Sequence, residues 1–113
     1  MLTMENLKAY GADVAEGLGR CLNNEEFYIS LIMSIIPDTR IEELEAAIAA
    51  EDLDKAFEIA HALKGMYANL ALTPLTIPVT EATELLRSRT HTDYSGCIAE
   101  LKKQKAALNA LVE

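Results

Sequence analysis

Asp52-Leu53-Asp54-Lys55-Ala56-Phe57-Glu58-Ile59-Ala60-His61-Ala62-Leu63-Lys64-Gly65-Met66-Tyr67-Ala68-Asn69-Leu70 reads as one long helix, about residues 53 to 70. Laid out at about 100° per residue, Ala56, Ala60, Leu63, Tyr67 and Leu70 fall on one side, with Ile59 and Met66 at its edge. Such a stripe faces a core. His61 falls well away from it, among Asp54, Phe57, Glu58, Lys64, Gly65 and Ala68. Asp52 offers a carboxylate to the free amides of the first turn. The stretch therefore predicts a bundle wall with its apolar face inward and a histidine outward.

The flanks punctuate the chain into further helices. Asp13-x-x-Glu16 starts a short helix that ends near Cys21. Asn24 caps the next, with Glu25 and Glu26 in its first turn, and Pro37 stops it. Thr39-Arg40-Ile41-Glu42 reads as a capping box, followed by Ile41, Leu44 and Ile48 at helical spacing. Thr73-Pro74 is a strong start signal, and Pro78 is expected to kink that helix or delay its regular start. Thr92 is expected to cap the last helix, and Ser88-Arg89-Thr90-His91 is the exposed loop before it. No segment alternates as a half-buried strand does. Residues 1–113 are thus expected to form one all-α domain. It is an antiparallel up-and-down four-helix bundle of helices at about 40–50, 53–70, 74–88 and 93–112, with short N-terminal helices before residue 37.

Composition narrows the function classes. The 113 residues are half apolar, enough for a packed core without disulfides or metal. The net charge of −8 argues against nucleic-acid binding, which needs clustered Lys and Arg. Lys102, Lys103 and Lys105 read as a solvated face. Cys21 and Cys97 form no CxxC pair and fit free thiols of a reducing compartment. Met1 to Glu5 lack the pattern of a secretory signal, and the longest apolar stretch, Tyr28 to Pro37, is too short to span a bilayer. A cytoplasmic protein that does not engage membranes is expected. A bundle that closes its own core gives no reason to dimerise, so a monomer is expected.

The residues around His61 suit group transfer. Lys64, one turn on, favours a neutral, nucleophilic imidazole and would stabilise a phosphoryl group attached to it. Gly65 costs about 1 kcal/mol relative to Ala inside a helix, and its missing side chain lets another protein approach. Ala68 continues that low relief. Phe57 offers an apolar contact beside the ring or packs at the edge of the core. Glu58 either orients the imidazole through a ring nitrogen or is simply solvated.

His61-Ala62-Leu63-Lys64-Gly65 resembles the His-x-Leu-Lys-Gly motif of histidine-containing phosphotransfer (HPt) domains. The resemblance extends over the Tyr10-Gly11-Ala12-Asp13-Val14 segment, the Asn24-Glu25-Glu26-Phe27-Tyr28 helix start and the Leu53 to Leu72 helix. It implies a phosphorelay intermediate of two-component signalling. Such a domain takes a phosphoryl group from a receiver aspartate and passes it to another receiver domain. It implies His61 as acceptor through Nε2, Lys64 as charge support, and Gly65, Phe57, Ala68 and Glu58 on the docking face. The partners implied are response-regulator receivers and a hybrid histidine kinase. A phosphocarrier of this kind has no autonomous kinase or phosphatase activity and needs no cofactor or metal of its own. Mg²⁺ is expected on the partner receiver. The chain departs from the family pattern at Met66 and Tyr67, where small residues are common, at Ala71, where Gly is usual, and at Pro78.

Two other classes compete. One is a helical module that docks a receiver or kinase without accepting phosphate; the intact His61, Lys64 and Gly65 set speaks against it. The other is a metal or hydrolytic enzyme. His91, the only other histidine, sits in the expected loop beside no HExxH pattern, and no GxSxG or phosphate-gripping glycine loop occurs.

Overall fold

A computed structural model describes residues 1–113. The chain is all-helical, with seven helices and no strand: α1 Met4–Tyr10, α2 Val14–Arg20, α3 Glu25–Ile35, α4 Arg40–Ala49, α5 Leu53–Asn69, α6 Thr73–Arg87 and α7 Ser95–Ala110. α5 packs between α4 and α6, and α7 closes the ring against α6 and α4. The short turns make sequential neighbours antiparallel. The bundle is 41 × 26 × 19 Å.

The core stripe is where helical phase puts it. Ala56, Ala60, Leu63 and Tyr67 are buried on α5, and Leu70 is buried just beyond it. They meet Leu44 of α4, Leu75, Val79, Ala82 and Leu86 of α6, and Leu101 and Leu108 of α7 in one cluster of 25 buried residues. No helix is long and apolar enough to cross a membrane. Both cysteines are buried and unpaired.

Three helix starts follow their signals. The side chains of Asp13, Asn24 and Asp52 accept from the backbone N–H of Glu16, Phe27 and Lys55. Two do not. Thr39 forms no side-chain cap; Asp38 Oδ1 instead accepts from the Arg40 N–H at 2.9 Å. Thr92 lies outside the last helix, and Asp93 Oδ1 accepts from the Ser95 N–H at 2.8 Å. In both cases a neighbouring carboxylate, a stronger acceptor than a hydroxyl, takes the orphan amide. α1 carries no expectation above, yet it is framed by a reciprocal Thr3–Asn6 box. Pro78 does not delay its helix: α6 begins at Thr73 and runs unbroken past it. Pro78 itself is buried with Leu75, Val79 and Ala82 on the inner side of α6, and that burial outweighs the lost backbone bond.

Five helices close on left-handed residues: Gly11, Leu22, Glu51, Ala71 and Arg89. Ala71, where the resemblance leads to the expectation of Gly, has φ +54°. Its conformation lets the Leu72 N–H return to the Tyr67 carbonyl at 3.0 Å, ending α5 sharply. The N-terminal helices then seal that end. Tyr28 Oη donates to the Leu70 carbonyl at 2.7 Å, the Asp13 N–H to Ala71 O at 2.9 Å, and Arg20 Nη1 to Ala68 O at 2.8 Å. Gly17 of α2 makes the approach of Tyr28 possible, because a Cβ there would lie 2.6 Å from the phenol ring.

Candidate functional site

The outer face of α5 carries the site. His61 is exposed, and Ala56, Ala60 and Leu63 on the opposite side are fully buried. The burial of that stripe fixes the rotation of the helix and so aims the imidazole at solvent.

Phe57, one turn earlier, is half-buried and lies beside the imidazole. The two ring centroids are 5.5 Å apart with planes inclined by 10°. Of its two sequence readings, edge-of-core packing and contact with the histidine, both hold at once. Two guanidinium groups lie over the Phe57 ring, with the Arg87 Cζ 5.2 Å and the Arg89 Cζ 4.8 Å from its centroid. Arginine over an aromatic face is an attractive, geometry-fixing contact.

Each arginine is itself tethered. Arg89 Nε donates to Asp54 Oδ1 at 2.6 Å, and its Nη1 donates to the Leu86 carbonyl at 2.7 Å. Arg89 has φ +50°, the left-handed turn that folds it back toward α5. Arg87 Nε lies 3.4 Å from Glu84 Oε2, and Lys64 Nζ lies 3.5 Å from Glu84 Oε1. Hydrogen bonding from Arg87 and its charge, then the same from Lys64, hold the Glu84 carboxyl below the usual carboxylate range. The structure thus assembles His61, Phe57 and Lys64 of α5 with Glu84 and Arg87 of α6 and Arg89 of the following turn.

Gly65 is exposed, and a Cβ there would meet nothing within 4 Å. No packing within this chain requires a glycine at that position. Ala68 is half-buried and extends the flat relief toward the end of α5. Glu58 is exposed and forms no hydrogen bond to His61. Its proposed role in orienting the ring therefore has no contact behind it, and the imidazole is held by stacking instead. Ile77, at helical spacing before Glu84 on α6, is 65% exposed.

Met66 and Tyr67, the large residues after the motif glycine, point away from this face. Tyr67 is buried in the core, and the Met66 sulfur accepts from Arg40 Nη2 at 2.9 Å. Their bulk is absorbed by α4 and the interior, leaving the outer face low. His91 is exposed after α6. No three His, Cys, Asp or Glu side chains are grouped to hold a metal ion.

The residues missed by sequence reasoning are Glu84, Arg87 and Arg89. They lie more than twenty positions after His61, on another helix and its exit turn. The available signal was a cluster of charge, Glu84-Leu85-Leu86-Arg87-Ser88-Arg89, running into the expected loop.

A family model described as Hpt domain matches residues 38–111, which hold all four bundle helices in full and the whole of this face. Neither the comparison with curated proteins nor that with solved structures returned a match.

Proposed function

The chain belongs to the Hpt domain family, and from that membership we propose that His61 receives a phosphoryl group from a receiver-domain aspartate and passes it to a second receiver. Hpt domains are phosphocarriers of two-component signalling that work with receiver domains and histidine kinases, and are not enzymes in their own right. The observation that carries the finer reading is the exposed imidazole of His61, stacked on Phe57 and flanked by Lys64 and the open ground at Gly65.

The chemistry asks little of this chain beyond placement. In the forward step the Nε2 lone pair forms an N–P bond while the P–O bond to the receiver aspartate breaks and the carboxylate departs with its electron pair. In the onward step a second receiver carboxylate attacks phosphorus and the imidazole leaves. The transition state is loose, so in-line positioning and charge stabilisation dominate. Stacking on Phe57 limits the swing of the ring, Lys64 supplies positive charge near the phosphoryl oxygens, and Gly65 with Ala68 admits the receiver surface. Ile77 adds an apolar contact on the same side. Mg²⁺ is assigned to the receiver's carboxylates. The partners are therefore receivers and the kinase that feeds them, with the exchange taking place in the cytoplasm.

The test is incubation with a phosphorylated receiver. Wild type should take up an acid-labile label, and His61→Gln should take up none while keeping its helical circular dichroism. Lys64→Ala should label more slowly. A wild type that binds the receiver without gaining label overturns the relay reading and leaves a docking module.

A further inference from the structure

Glu84 sits where a phosphoryl group's partners are already engaged. Its two carboxylate oxygens face one cation each, Lys64 Nζ at 3.5 Å and Arg87 Nε at 3.4 Å. Both contacts are long beside the 2.7–2.9 Å usual of charge-assisted hydrogen bonds. All three side chains are substantially exposed: Glu84 54%, Arg87 50% and Lys64 33%. Ion pairs of this kind are weak and open readily. By contrast Arg89 is bound at 2.6 Å to Asp54 and by two further bonds to the Leu86 and Arg87 carbonyls. The face thus holds one fixed cation and two loosely held ones.

One of the loosely held pair shares a helix face with the nucleophile, and the other is linked to it through Phe57. Lys64 is one helical turn from His61, a spacing that makes their side chains neighbours. Arg87 rests over the Phe57 ring, which in turn lies against the imidazole. A phosphoryl group on His61 brings more charge than a carboxylate and three acceptor oxygens. It also enters a face that already carries Asp54, Glu58 and Glu84. Of these, Asp54 is neutralised by Arg89, and Glu58 is free in solvent.

We propose that Glu84 is a resident counter-ion, which holds Lys64 and Arg87 in the unmodified protein and releases them to the phosphoryl group when His61 is phosphorylated. The inference rests on His61 being the phosphoryl acceptor. Glu84 then sets how strongly the domain retains its cargo. A free pair of cations would hold the phosphoryl group more tightly, and an occupied pair makes it easier to pass on. Glu84 and Arg87 act here as positioning residues.

The test needs no receiver. In a His91→Gln background His61 is the only histidine, and phosphoramidate modifies it directly. The ring nitrogen forms a bond to phosphorus, and the P–N bond of the reagent breaks with loss of ammonia. The protonation midpoint of the phosphoryl group is then followed by ³¹P NMR. Glu84→Gln should lower it by about 0.5 unit, about threefold in proton affinity, because both cations become available. Adding Lys64→Ala and Arg87→Ala should abolish that difference. An unchanged midpoint in Glu84→Gln overturns the proposal. So does a shift that persists without the two cations, since it would report repulsion between Glu84 and the phosphoryl group alone. Failure of wild type to take label from receivers overturns the relay reading and leaves this comparison readable.

Discussion

The His61 imidazole lies nearly parallel to the Phe57 ring, 5.5 Å from it centre to centre. Aromatic pairs in such geometry are worth about 0.5–1.5 kcal/mol beyond their buried area. Here the stack also limits where a nucleophile can point. Phe57→Ala should slow single-turnover phosphoryl uptake severalfold, while receiver binding falls less. Phe57→Tyr, which preserves the ring, should restore the rate. Equal rates for Phe57→Ala and wild type would remove the stack from the mechanism.

Gly65 separates folding from docking. The space outside it is empty, so Gly65→Ala should raise stability by about 1 kcal/mol through helix propensity alone. Gly65→Leu should fold equally well and bind a receiver at least tenfold more weakly, as judged by titration calorimetry. Undiminished binding of the Leu variant would mean that the receiver does not approach this turn.

Gly17 gives the opposite outcome, far from the reacting atom. A methyl group there would lie 2.6 Å from Cε1, Cζ and Oη of Tyr28, whose hydroxyl is bonded to Leu70 O. Gly17→Ala must displace the phenol, and overpacking of this kind costs about 1–3 kcal/mol. Urea denaturation checks it. A compensating Tyr28→Phe should recover little, because the ring carbons clash as closely as the oxygen.

Asp38 predicts an acid-sensitive contribution to stability. Burial alone would push its carboxyl up, but the hydrogen bonds and charge of Arg40, with Lys105 nearby, hold it below its ordinary value of 3.8. A carboxyl lowered by folding stabilises the native state above its unfolded value, and that stabilisation fades as pH falls through the folded one. Asp38→Asn should therefore lower stability by about 1 kcal/mol at neutral pH, as loss of a partly exposed charged pair does. The gap between variant and wild type should stay constant down to about pH 4 and close below it. Thermal melts across that range test the window.

The α5 stripe was legible because one periodicity decides both burial and exposure. Ala56, Ala60, Leu63, Tyr67 and Leu70 are buried, and His61 is exposed, from phase alone. Caps were legible where the residue next to the helix is itself an Asp or Asn, as at Asp52 and Asn24, and not where a threonine stands beside an aspartate that takes the amide instead, as at Thr39 beside Asp38 and Thr92 beside Asp93. The charged surroundings of the histidine were not legible. Whether Glu84 and Arg87 meet Lys64 and Phe57 depends on the register of α6 against α5, a property of packing between helices that neither helix's own period contains. The delayed helix start allowed for at Pro78 did not occur, for a related reason. A local rule weighed the missing N–H, and the buried surface on either side of it outweighed that rule.

The family match begins at residue 38, yet the carbonyls that finish α5 are bonded by Asp13, Arg20 and Tyr28. The helix that presents His61 is thus clamped at its far end by a segment that precedes the matched residues. Variation among those N-terminal residues can retune the nucleophile mechanically, by shifting or loosening the rod on which it is mounted, while every residue of the exposed face stays the same.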